Sequence, residues 1–145
     1  MDDDEHQRIV GEIAAARTER GRERYQEVMV SPAPPPMTPY LANGVVDSVF
    51  GELWDRPGLS RRDRRWVTLA CVAAAAVDEP IRQHVRAALA SGDVSREEFQ
   101  EFVLHFAYYA GWPRASALEM NYYRVVAELD AEAAGGGDRG HAPES

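Results

Sequence analysis

The sequence predicts an all-α chain folded as a single-domain bundle of about six helices. Three observations predict it. Apolar residues recur at spacings of three and four along most of the chain, no stretch alternates β-branched residues between turn signals, and helix-start signals stand directly before the apolar runs.

The first helix is predicted over about residues 5 to 28, with Ile9, Val10, Ile13 and Ala14 on one face. Gly21 weakens its second half by roughly 1 kcal/mol relative to alanine, which marks a place to bend or break. "SPAPPPMTP" then holds too many prolines for a helix or a sheet ladder and predicts an extended linker. A second helix opens with Thr38 as cap and Pro39 at the first helical position, where a missing N–H costs nothing. Its apolar face is predicted as Val45, Val49, Phe50, Leu53 and Trp54. The third starts at Ser60, with Asp63 three residues on in a capping-box-like arrangement. From Trp66 to Val77 it is apolar nearly all round, which predicts a central helix enclosed on every side.

The fourth helix begins near Pro80, capped by Asp78 or Glu79, and stops at the glycine of "ASGD". In the fifth, Ser95 and Glu98 form a capping box ahead of the stripe Phe99, Phe102, Val103, Phe106 and Ala110. "GWP" closes it and launches the sixth, on which Ala115, Leu118, Tyr122, Val125 and Leu129 share a face. The predicted organisation is an N-terminal helical segment at 1–29, a Pro-rich linker at 30–39, a helical core at 40–131 and a disordered tail at 132–145.

The totals narrow the class. A chain of 145 residues suits one domain. Its formal net charge of -8 opposes a phosphate backbone, so no nucleic-acid partner is expected despite the basic run "RRDRR" at 61–65. No apolar run approaches the ~20 residues of a membrane span, and the acidic start "MDDDEHQRIV" is unlike a secretory signal. No membrane partner and a cytoplasmic location are therefore expected. The single Cys71, among small apolar neighbours, reads as a buried and inert thiol. The four histidines are scattered without ligand spacing, so no metal is expected.

Taken as an ordered set, "FGELWDRPGLSRRDRRWVTLA", "QHVRAAL" and "VSREEFQEFVLHFAYYAGWP" resemble the carboxymuconolactone decarboxylase family, over about residues 19 to 129. The resemblance implies an alkyl hydroperoxidase D-like helical fold, assembly into homotrimers or homohexamers, and a site between helices. The peroxidase branch of that superfamily carries C-x-x-C with a histidine four residues after the second cysteine. Counting back from His84 puts those cysteines at Val77 and Pro80, and neither is one. Dithiol peroxide reduction needs an attacking and a resolving thiol, so a peroxidase label inherited through the superfamily does not fit. The cysteine-free decarboxylase branch remains.

That branch implies lyase chemistry, without any cofactor, on a small acidic or polyketone-like molecule. Such chemistry needs a cation to hold the acid, a pocket that stabilises enolate-like charge, and a proton donor. His84 matches the family histidine and is the catalytic acid/base expected; its other reading is a structural helix residue bonded to a carbonyl or carboxylate. Glu52 and Arg56 match the family's acidic and basic positions. Either they pair with each other at the surface, or Arg56 grips a substrate carboxylate while Glu52 shares proton transfer with His84. Trp54 and Tyr108 are further substrate-binding expectations.

The arginine run opposes the helix dipole and calls for an anion. That anion is a substrate, an acidic group from another helix or subunit, or solvent exposure suffices. Arg65 stands nineteen residues before His84, where the peroxidase branch places a glutamate, and is a substrate-binding expectation by charge reversal. The chain also carries an additional Asp93 after "HVRAAL". His105 with Glu101 reads as a helix-surface pair. The reading that competes with a lyase is a non-catalytic oligomeric scaffold or small-molecule binder.

Overall fold

The computed structural model describes residues 2–137. It contains six helices and no strand among the described residues: α1 (Asp3–Met29), α2 (Tyr40–Leu53), α3 (Arg61–Ala75), α4 (Asp78–Ala90), α5 (Arg96–Ala110) and α6 (Trp112–Gly137). The all-α class is as the sequence predicts. The chain gathers into two compact units, one through Arg64 and one from Arg65 onward.

In the first unit α1 is a single helix, capped by the Asp2 carboxylate, which accepts from the Glu5 N–H at 2.7 Å. It does not break at Gly21. That glycine is buried because α2 lies against it: a Cβ there would stand 2.2 Å from the Val46 carbonyl oxygen. Gly51 of α2 faces the same spot, where an added Cβ would meet the Gly21 Cα at 3.4 Å. The two glycines let backbone pack on backbone.

Thr38 caps α2 as expected, accepting from the Leu41 N–H at 3.2 Å. The helix is then π-wound over Tyr40–Leu53, bonded five residues back, as where the Trp54 N–H reaches the Val49 carbonyl at 2.9 Å. The wider turn moves the buried face to Val46, Phe50, Gly51 and Trp54. Val49 and Leu53, expected inside from an α-helical period, are exposed. Phe50 stacks on Trp54 and meets Tyr25 edge-on at 4.6 Å. The apolar stripe expected near the start of α1 has little cover, with Val10 and Ile13 exposed.

The second unit is built around Phe99, which stacks on Tyr122 with ring centroids 5.0 Å apart. Leu69, Ile81, Val85, Val103, Phe106, Leu118 and Val125 complete the same cluster. Ser95 and Glu98 form the expected capping box, and Gly111 at φ 95° turns α5 into α6. Side-chain pairs ascend together from Asp78 with Asn121, through Arg82 with Glu128, to Arg86 with Glu132. Helices α4 and α6 therefore run in the same direction, whereas α5, with Arg96 on Asp130 and Phe99 on Tyr122, runs against α6.

Three expectations are corrected here. Helix α3 is not enclosed all round: it buries Arg65, Leu69 and Ala73 at spacings of four, while Val67, Ala74 and Ala75 face outward. Cys71 lies on that outward side and is an exposed thiol. Helix α6 also continues through Gly137, into the segment expected to be disordered; residues 138–145 lie outside the described residues. Alanine and glutamate at 131–134 are good helix formers that need no buried face to extend an existing helix.

Candidate functional site

His84 sits on α4 three residues after Ile81 and one before Val85, both fully buried, which draws its ring partly inside. The ring is half-buried, and its Nδ1 is enclosed without a hydrogen bond inside the chain. Burial first, and the positive charge of Arg65 second, push its pKa down from 6.5 to about 4. At neutral pH the ring is uncharged.

Arg65 comes from the first turns of α3 and has no solvent exposure. Its Nη2 donates to the Asp93 carboxylate at 3.0 Å, in a pair whose side chains are 0% and 8% exposed. The anion that the arginine run calls for is thus, at Arg65, an acidic residue from another part of the chain. Asp93 follows Gly92, whose φ of 75° turns the chain after α4. The Asp93 N–H donates to Ser91 Oγ at 3.3 Å, and the next residue, buried Val94, donates its N–H to the Ala88 carbonyl at 3.3 Å. His84, Arg65 and Asp93 form one electrostatic group in the second unit.

The other expected residues have different surroundings. In the first unit the Glu52 carboxylate pairs with Arg17 at 2.5 Å and not with Arg56. Arg56 has an exposed side chain, and its carbonyl accepts from Arg64 Nη2 at 2.8 Å. Trp54 is a packing residue, buried and stacked on Phe50. In the second unit Tyr108 is 76% exposed and lies against Trp112, with centroids 5.9 Å apart. His105, expected to pair with Glu101, instead stacks on Tyr109 at 4.8 Å. An open groove of about 340 Å³ lined by Gln100, Leu104, Trp112, Ser116 and Glu119 contains none of the predicted site residues.

Sequence reasoning passed over Asn121, which is 1% exposed and donates Nδ2 to Asp78 at 3.1 Å and to the Ala117 carbonyl at 2.9 Å. It also left Asp93 without a role. The available signal was a carboxylate directly after a helix-stopping glycine in a chain with an unexplained basic run. Among the described residues no three His, Cys, Asp or Glu side chains gather as metal ligands, and no helix is long and apolar enough to cross a membrane.

The family model described as carboxymuconolactone decarboxylase family matches residues 39–120, a span that contains all six predicted site residues. The chain is 41% identical over 68 residues to 4-carboxymuconolactone decarboxylase of Acinetobacter baylyi, covering 47% of this chain and 50% of that protein. It is 31% identical over 114 residues to nitrosuccinic acid decarboxylase npaB of Metarhizium robertsii, covering 77% of this chain and 76% of that protein. The match therefore spans half the length of the first relative and about three quarters of the second. With more than half of its length inside the family model and a relative above 30% identity covered over most of its length, the chain belongs to the carboxymuconolactone decarboxylase family.

Proposed function

We propose that the chain is a carboxy-lyase that removes carbon dioxide from a small organic acid without thiol or cofactor chemistry, with His84 as its proton carrier. The observation that carries this reading is the His84 ring itself. One enclosed nitrogen has no hydrogen bond in the chain, and a buried guanidinium lies close enough to act on it. An enclosed polar atom left unbonded costs on the order of 1–3 kcal/mol, a cost that a bound ligand can remove. The names of both relatives support the substrate class. Each specifies an acid whose carboxylate is lost from a skeleton bearing an electron-accepting group, a lactone in one and a nitro group in the other.

The chemistry follows from the charges. In the free protein Arg65 and burial keep the imidazole neutral. A bound carboxylate offsets part of the Arg65 field and raises the proton affinity of the ring, so that a proton taken up from solvent forms the imidazolium the reaction uses. The carbon–carboxylate bond then breaks with its electron pair left on carbon, delocalised into the acceptor group and stabilised by the nearby cation. The imidazolium delivers its proton to that carbon and returns to neutral imidazole, while carbon dioxide leaves. In the second unit Tyr108 is proposed to contribute an exposed aromatic face, and in the first unit the exposed Arg56 side chain is proposed to meet an anion. Glu52, in the first unit, can act as an acid or base only by giving up its pairing with Arg17.

Self-assembly into a homotrimer or homohexamer is proposed with it. Supporting it are the exposed apolar residues Val67 on α3, Leu104 on α5 and Trp112 on α6, which subunit contacts would take out of water.

The test is carbon dioxide release from a panel of carboxylated lactones and nitro-substituted dicarboxylic acids, comparing wild type with His84→Ala at matched oligomeric state. Wild type should turn over at least one acid and His84→Ala should lose roughly a hundredfold or more. No release by wild type from any acid would favour the non-catalytic binder. Equal rates in both proteins would remove His84 from its role.

A further inference from the structure

We propose that Asp93 is a positioning residue: its ion pair holds the Arg65 guanidinium buried against the turn that closes the helix of His84, making Arg65 the standing cation of the site and leaving the imidazole to carry the proton. The inference rests on the carboxy-lyase reading and adds to it a residue outside the predicted set.

Burying a charge is costly unless it is paired. A guanidinium with no solvent exposure is stable only against an anion, and here that anion is Asp93 at 3.0 Å. The partner is itself held: Gly92 turns the chain, Ser91 Oγ accepts from the Asp93 N–H, and buried Val94 anchors the far side. His84 and Asp93 belong to one helix and the turn that ends it, so the segment that carries the imidazole also grips the buried cation. Without the carboxylate, Arg65 would lose the ion pair that offsets the cost of its burial.

Other charges around α4 are already engaged. Arg82 is paired with Glu79 and with Glu128 of α6, Arg86 with Glu132 of α6, and Asp78 accepts from Asn121 of α6. Arg65 is the group whose field acts on the ring.

Two sets of variants test the proposal. In Arg65→Gln/Asp93→Asn an amide pair replaces the ion pair at unchanged net charge. The His84 imidazole, followed by NMR against His84→Asn as the assignment control, should then titrate higher by about one pH unit, and still below the ordinary histidine value because burial remains. The conservative variants Arg65→Lys and Asp93→Glu keep both charges and shift the cation by a bond length or two. Their His84 midpoint should stay close to wild type, while kcat falls about tenfold with little change in KM.

An unmoved midpoint in the double variant would overturn the proposal. So would wild-type kcat in both conservative variants at wild-type thermal stability, a result that stands even if the double variant does not fold. If no acid is turned over by wild type, the carboxy-lyase reading has failed, whereas the NMR titration still decides whether the ion pair sets the charge around His84.

Discussion

The Arg65 guanidinium, without solvent exposure, donates at 3.0 Å to Asp93, a carboxylate on the turn that closes the helix of His84. A buried pair of this kind is costly to assemble and more costly to halve. Asp93→Ala should destabilise the protein by about 3–5 kcal/mol, because it takes away the carboxylate paired with a buried cation. Replacing both partners, as in Arg65→Met/Asp93→Ala, should cost less than Asp93→Ala alone. Urea unfolding of the two proteins checks the order, and a double variant less stable than the single one would refute it.

Stability should also depend on pH through His84. Its pKa is 6.5 when unfolded and about 4 when folded, so between these values the unfolded chain binds more protons. The stability conferred by keeping the ring neutral is complete above about pH 6.5 and is lost as pH falls toward 4, by up to about 3 kcal/mol. Below the folded value this group adds no further loss. His84→Gln has no proton to take up, so its unfolding free energy should fall less steeply across that window; parallel curves for the two proteins would contradict the assignment.

Glycines of α1 should respond to alanine with opposite signs. At Gly11 nothing lies within 4 Å of an added Cβ, so Gly11→Ala should stabilise by about 0.5–1 kcal/mol through helix propensity. At Gly21 the same methyl would stand 2.2 Å from the Val46 carbonyl oxygen, and α2 would have to move. Gly21→Ala should therefore destabilise by about 2 kcal/mol or more despite its better propensity. Thermal melts of the two variants give the comparison.

What was legible in the sequence was local. The caps at Thr38, Ser60 and Ser95 rest on hydrogen bonds spanning three residues, and each is present. The faces of α5 and α6 follow from a regular α-helical period, and Phe99, Phe106, Leu118 and Val125 are buried as that period places them. The face of α2 was not legible, because π-winding shifts the period and exposes Val49 and Leu53. Gly21 looked like a weak point since propensity carries no information about the backbone packed against it. His84 could be located by its motif, but its neutral state depends on burial and on Arg65 reaching it from another helix. Asp93 was marked locally only by the helix-stopping glycine before it; its role arises from a contact across 28 positions of sequence.

The exposed Cys71 separates chemistry from inheritance. It is a lone thiol on the outward side of α3, with Val77 and Pro80 where the peroxidase branch of the superfamily keeps its pair. A single thiolate can be oxidised by peroxide to a sulfenic acid but has no resolving partner within the chain to form a disulfide. Peroxide consumption coupled to a dithiol reductant should therefore stay at background, and Cys71→Ser should leave carbon dioxide release unchanged. Its exposure also makes it a reporter of assembly: a thiol reagent should modify it at the rate of a free surface cysteine in dilute monomer. If α3 lies in a subunit interface, labelling should slow as the protein concentration rises through the association range. Dithiol-dependent peroxide turnover that disappears in Cys71→Ser would reverse the exclusion and place the chain's chemistry on the thiol.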